Sequence, residues 1–195
     1  MTPTAFAEEL APDALVKGVS DEVIAAIRQD PAIQAGDARK IGELVEAKIL
    51  PHFDFRRATQ IAVGPGWRRA TPEQQERLIR EFKTLVLRTY SGALASYRDQ
   101  VIEFRPLRAQ AGDTEVTVRS IIKQSGAEPI VLEYDLEKTG ASWKVFDIRV
   151  AGISLVATYR SAFAEEVRNR GIEGLIELLA SKNRQAPRTA AVKTS

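Results

Sequence analysis

After residue 100 the spacing of apolar residues changes period, and that change constrains the fold of this chain more than any motif in it. Before it, apolar side chains recur at three- and four-residue intervals; after it they alternate. Ile102 and Phe104, then Val116, Val118 and Ile122, then Ile130, Leu132, Tyr134 and Leu136, then Phe146, Ile148 and Val150 each alternate with mostly polar neighbours, which predicts four successive strands. The connections QAGD, QSGA and TGA are short and carry glycine, as antiparallel hairpins do. The strands therefore form a meander with one apolar face, and that face needs a cover. The nearest candidate follows the last strand: beyond a turn at Ala151-Gly152, residues Ile153, Val156, Tyr159, Phe163 and Val167 lie at helical spacing. Leu175, Ile176, Leu178 and Leu179 predict a final short helix.

The first half reads as helix. Val23, Ile24 and Ile27, then Ile41, Leu44, Val45 and Ile49, then the stretch from Phe53 to Val63 predict short helices, with Asp37 capping the second and Pro51 ending it. In GPGWRRATPEQQERL the glycines and proline break any helix. Thr71, Pro72 and Gln74 then supply a capping box with proline at the first helical position. From there Leu78, Phe82, Leu85, Val86, Tyr90, Ala93 and Tyr97 form one apolar stripe. Unbroken to Tyr97, this helix would be about 39 Å long; Ser91-Gly92 is where a bend is expected. The class is α+β: a four-stranded antiparallel meander sheet, covered on its apolar face by helices, with a helical N-terminal half. One domain spans residues 1–182, with residues 1–65 as a helical annex.

Charge excludes some functions. The net +2 arises from 28 basic and 26 acidic residues, and the final KNRQAPRTAAVKTS holds four basic residues and no acid. The body is thus balanced, without the concentrated basic face of a nucleic-acid binder, and residues 183–195 read as a disordered basic tail. There is no cysteine, which removes thiol nucleophiles, zinc–thiolate sites and disulfides. No apolar run approaches the roughly 18 to 20 residues of a spanning helix, so the expectation is a soluble protein. Ala5-Phe6-Ala7 resembles the end of a signal-cleavage region, but the charged and apolar parts of such a signal are missing.

Catalytic patterns fail on context. GISLV carries half of a nucleophile elbow, but Val156 replaces its last glycine and the sheet is antiparallel; Ser154 reads more simply as a helix N-cap. His52 is the single histidine, too few for a multi-histidine metal site, and no relay partner is evident. Asp147 stands on the parity opposite to Phe146 and Ile148 and is expected to face away from the apolar side. Periodicity does not distinguish a filled core from a hollow one, so the residues alone lead to a soluble α+β domain without an evident catalytic site. A ketosteroid-isomerase-like cavity enzyme with an acidic base and a protein-interaction adaptor with a solid core stay open as rival readings.

Several stretches resemble the MlaC family of periplasmic phospholipid-binding proteins, also called toluene-tolerance or Ttg2-type shuttle proteins. They are ILPHFDFRRATQIAVGPGWRRATPEQQERLIREFKTLVLRTYSGAL, the strand region, WKVFDIRVAGISLVATYRSAF and GIEGLIELLASK, together covering about residues 40–182. The resemblance implies a non-enzymatic carrier that buries phospholipid acyl chains in an apolar pocket, with the lipid as cargo and no cofactor or metal. It would shuttle lipid between an outer-membrane lipoprotein complex and an inner-membrane ABC transporter, as a monomer in the periplasm, maintaining outer-membrane lipid asymmetry. The export signal that family members carry is absent from this sequence. Candidate pocket walls are Trp67, Phe82, Val86 and Tyr90 from the long helix and its approach, Val118, Leu132, Tyr134, Phe146 and Ile148 from the sheet, and Val156, Tyr159 and Phe163 from the returning helix. Arg160 is the candidate for a headgroup or partner rim.

Overall fold

The computed structural model describes residues 10–185. Helix α1 (Pro12–Gln29) begins with a proline in its first turn, where the missing N–H costs nothing. Short α2 (Pro31–Gln34) is capped by Asp30, and α3 (Ala38–Lys48) by Asp37, whose carboxylate accepts the Arg39 and Lys40 N–H groups. Asp54 caps α4 (Phe55–Val63). Helix α5 (Pro72–Tyr90) carries the expected capping box, with Thr71 and Gln74 each accepting the other's backbone N–H. It ends at Tyr90 instead of running to Tyr97, because the chain breaks at the expected Ser91-Gly92 bend before the four-residue α6 (Gly92–Ala95).

The sheet has five strands, not four: β1 (Val101–Phe104), β2 (Glu115–Lys123), β3 (Ile130–Thr139), β4 (Ser142–Val150) and β5 (Ile153–Ser154), antiparallel and in sequential order. The fifth forms where a helix start was expected. Ala151 (φ 50°) and Gly152 (φ 81°) are both left-handed, the geometry of a two-residue hairpin loop, so the chain folds back onto β4 for two residues before turning helical. A 3-10 turn (Ala157–Tyr159) then leads into α7 (Arg160–Arg184). The expected final helix is continuous with α7 across a kink at Gly171 (φ 70°). Residues 183–185 of the expected tail are docked: Arg88 donates to the carbonyls of Asn183 and Gln185, and Asn183 donates to Glu81. The remainder of that tail lies outside the described residues.

The register arranges the apolar face in cross-strand rows. Ile102, Ile122 and Ile130 form the first, Phe104, Ser120, Leu132 and Val150 the second, Val118, Tyr134 and Ile148 the third, and Val116, Leu136 and Val145 the fourth, with Trp143 beyond it. A β-bulge decides the membership of β4. Asp135 pairs with Asp147 and Leu136 with Val145, so Phe146 is an extra residue and the parity reverses there. Phe146 accordingly leaves the apolar face, against the expectation from alternation; its ring lies under the Arg57 guanidinium, 5.1 Å from ring centre to Cζ. The opposite face is a charged ladder in which Arg149 reaches Asp135 and Glu133, Arg119 pairs with Glu133, and Arg57 bridges Glu115 and Glu137.

The cover of the apolar face is also not the expected one. Leu15 and Val16 of α1 pack on Val116, Val118, Leu136, Trp143 and Val145. The returning helix instead joins α4 and α5 in a helical core built from Ala58, Ala62, Leu78, Phe82, Phe163, Leu175 and Leu179. A third cluster unites the later turns of α1 (Val23, Ile27) with α2, α3 and, from the α5–α6 junction, Leu87 and Leu94. Described residues before 65 therefore contribute to all three clusters.

Candidate functional site: an apolar slot between sheet and helices

The apolar face changes character along its length. Rows three and four are taken up by α1: Val118 and Leu136 are wholly buried. The Tyr134 hydroxyl is buried beside Ser120 and Ser20, the latter on α1; burial pushes this phenol up, and the two neighbouring serine hydroxyls act against it. Beyond Ser20, α1 turns its apolar residues to the third cluster. Row one and the Leu132–Val150 end of row two are left outside the clusters, while Phe104 packs on the second cluster and Ser120 is wholly buried. Ile102, Ile122, Ile130, Leu132 and Val150 are half-buried and join none of the three clusters. Among the described residues no strand packs closely against α5, and residues 96–100 carry the chain directly from α6 to row one. The half-buried apolar strip formed by Ile102, Ile122, Ile130, Leu132 and Val150 is the floor of a candidate slot. At the far end, past the packed rows, a separate cavity of about 380 Å³ lies between Pro12, Leu107, Val116 and Trp143.

The candidate wall residues do not share one surface. Trp67, Phe82, Val86, Val156, Tyr159 and Phe163 belong to the helical core or pack on it. There Phe82 meets Tyr159 and Phe163 edge-on, with ring centres 5.2 and 5.5 Å apart, a close-packed aromatic group. Val118, Tyr134 and Ile148 form row three at the inner end of the slot, and Leu132 lies on its floor. Phe146 is on the charged face. Tyr90, the last residue of α5, stands half-buried where the helical core meets the sheet edge, its hydroxyl against that of Tyr159. Burial, then Tyr159 and the Asp147 carboxylate, push the Tyr90 phenol well up. Arg160 is exposed at the first position of α7, directly after Tyr159. The floor residues Ile102, Ile122, Ile130 and Val150 are legible as strand residues in the sequence, but only the register places them beside Leu132.

Asp147 explains the text of the most specific motif. By register it faces away from the apolar rows, as expected, yet it is 6 % exposed because β5 and the 3-10 turn close over it. Its carboxylate accepts the Ser154 hydroxyl at 2.5 Å, the Ile148 N–H at 2.8 Å and the Val156 N–H at 3.2 Å. The Ser154 oxygen in turn accepts the Ala157 N–H at the start of the 3-10 turn, but Ser154 itself lies on β5 and is not the helix N-cap read from the sequence. Burial pushes this carboxyl up from the usual range, while the three donors hold it down. All the donors are structural, so the arrangement leaves no oxygen aimed at a substrate, as a general base would need. Among the described residues no group of His, Cys, Asp and Glu is placed to hold a metal ion, and no helix is long and apolar enough to cross a membrane.

The chain resembles known proteins over most of its length. Residues 17–181 match the family model described as MlaC protein. An intermembrane phospholipid transport system binding protein MlaC from Haemophilus influenzae is 26 % identical over 179 residues, covering 90 % of this chain and 83 % of that protein. The toluene tolerance protein ttg2D of Pseudomonas putida is 34 % identical over 104 residues, 53 % of this chain and 48 % of that protein. A phospholipid-binding protein from Ralstonia solanacearum, solved in complex with a phospholipid, superimposes with a TM-score of 0.83 at 44 % identity, covering 89 % of this chain and 97 % of that one. With the family model spanning the three clusters, the sheet and the Asp147 motif alike, this chain belongs to the MlaC family.

Proposed function

We propose that this protein is a phospholipid carrier that receives acyl chains in the slot over rows one and two and releases them by docking, without covalent chemistry. One observation carries the reading: a single apolar sheet face has its inner rows packed while Ile102, Ile122, Ile130, Leu132 and Val150 stay half-buried outside every cluster, in a chain 44 % identical to a protein that holds a phospholipid. The energetic demand is large. At about 0.8 kcal/mol per CH₂, an acyl chain of roughly fifteen methylenes left in water costs on the order of 12 kcal/mol, so a carrier must shield each chain along its length. Apolar floor residues meet that demand without selecting between chains, since they make no directional contacts.

The name of the Haemophilus relative, an intermembrane phospholipid transport system binding protein, supports placing the carrier between two membranes. On this reading it works in the periplasm and exchanges lipid with an outer-membrane lipoprotein complex and an inner-membrane ABC transporter. Exchange is then between apolar surroundings, and modest net affinity suffices. The headgroup stays at the mouth, where the exposed Arg160 offers a charge-assisted partner for its phosphate.

The test is lipid content. Protein purified under mild conditions, extracted with organic solvent and analysed by mass spectrometry, is expected to yield phospholipid, and delipidated protein to reload from vesicles. Repeated preparations that contain none and fail to reload would sink the proposal and leave the lipid-free adaptor reading in its place.

A further inference from the structure

The slot has helices on one side and the sheet on the other, and the chain connecting them at the β4–β5 edge is thin. β5 contributes two residues, paired as Arg149 with Ser154 and Val150 with Ile153, followed by one further backbone bond from the Leu155 N–H to the Ile148 carbonyl. The hairpin loop is strained: Ala151 is the one non-glycine residue with a left-handed φ among those described. Little in that ladder resists a pivot of the sheet against the helical core.

The carboxylate of Asp147 compensates. Its donors come from both sides of the loop, Ile148 before it and Ser154 and Val156 after it. Val156 belongs to the helical core, and the Ser154 oxygen accepts the Ala157 N–H at the start of the 3-10 turn that ends in Tyr159. Tyr159 stacks at 5.4 Å on Phe163 and meets Phe82, so its ring is anchored in the helical core while its hydroxyl reaches Tyr90. The cross-strand partner of Asp147, Asp135, stands directly opposite and is held by Thr117 and Arg149 on the charged face.

We propose that Asp147 is a positioning residue for lipid retention: by tying the β4–β5 loop and the 3-10 turn to β4, it sets the spacing between sheet and helical core and so limits how readily the slot opens. The inference rests on the carrier reading. The sheet is also tied to the helices by the Asp54 N–H on the Val145 carbonyl, by Arg57 on Glu115 and Glu137, and by α1 over the inner rows. The three donor contacts and the short β5 ladder are the ties at the β4–β5 edge, and loosening them frees that edge of the slot.

Release of a fluorescent phospholipid from loaded protein to phosphatidylcholine vesicles tests it, alongside urea unfolding of each variant. Asp147→Ala is expected to release lipid at least tenfold faster than the parent protein, Ser154→Ala about threefold faster, and Asp147→Asn, which keeps an oxygen for the two N–H donors, to stay within about twofold. Leu175→Ala, which hollows the helical core away from the loop, controls for lost stability and should change release by less than twofold. Should Asp147→Ala fail to fold, Ser154→Ala against Leu175→Ala decides the matter. Release that follows the urea midpoint alone, equal in the Asp147 or Ser154 and Leu175 variants, overturns the positioning role. Parent protein that takes up no lipid at all overturns the carrier reading instead.

Discussion

Phe82 and Leu132 are both large apolar residues at predicted core positions, and the structure treats them oppositely. Phe82 is wholly buried between α5 and α7, locked by two ring contacts, whereas Leu132 is half-buried on a row that no cluster absorbs. The same contrast runs within the sheet, where Leu136 is wholly buried two residues from Tyr134 and four from Leu132. Identical side chains on one strand thus sit in two environments, a packed row at one end and a half-buried position outside the clusters at the other. The difference lies in what stands opposite them, which is α1 over the inner rows and an open slot over the outer ones.

Truncations separate the two regions most sharply. Phe82→Ala should cost about 3–5 kcal/mol in urea unfolding, the range for an aromatic lost from a close-packed core. Leu136→Ala should cost about 2–5 kcal/mol and Leu132→Ala less than about 1.5 kcal/mol, while only the latter lowers lipid content in a protein of near-normal stability. Equal costs at the two leucines would mean that the outer rows are packed after all.

Filling the site sharpens the comparison from the other side. Leu132→Trp should block loading with an unchanged circular dichroism spectrum, because half-exposed space receives the ring. Val118→Trp enters a filled row and should destabilise by about 1–3 kcal/mol. A smaller effect is expected from pH. Burial raises the Asp147 carboxyl in the folded protein, so its contribution is fully present below the unfolded value near 3.9 and is lost as pH rises through the folded value. Stability measured in urea at stepped pH should therefore fall more steeply above about pH 4 in the parent than in Asp147→Asn. Least of all, Arg57→Ala on the charged face should cost less than about 1 kcal/mol and leave lipid content unchanged.

Much of this protein was legible in its residues. The change of period at residue 100, the Thr71-Pro72-Gln74 helix start and the bend at Ser91-Gly92 all follow from local chemistry, because caps and turns involve neighbours a few positions apart. The text from Asp147 to Phe163 was distinctive enough to carry the family resemblance, though not its reason, which is a carboxylate closing over its own loop. Four floor residues, Ile102, Ile122, Ile130 and Val150, could be assigned to strands but not to a site.

The amino-acid order by itself determined which segments are helix and which are strand, the two-residue β5 apart, and that the strands share an apolar face, since both follow from periodicity and backbone preference. Only the tertiary structure decided which helix covers that face, which way Phe146 points, and which rows stay open. Alternation cannot register a one-residue bulge, and an amphipathic stripe does not say which of several apolar partners it will meet. Those choices depend on contacts between residues far apart in the chain, and the slot exists only as their remainder.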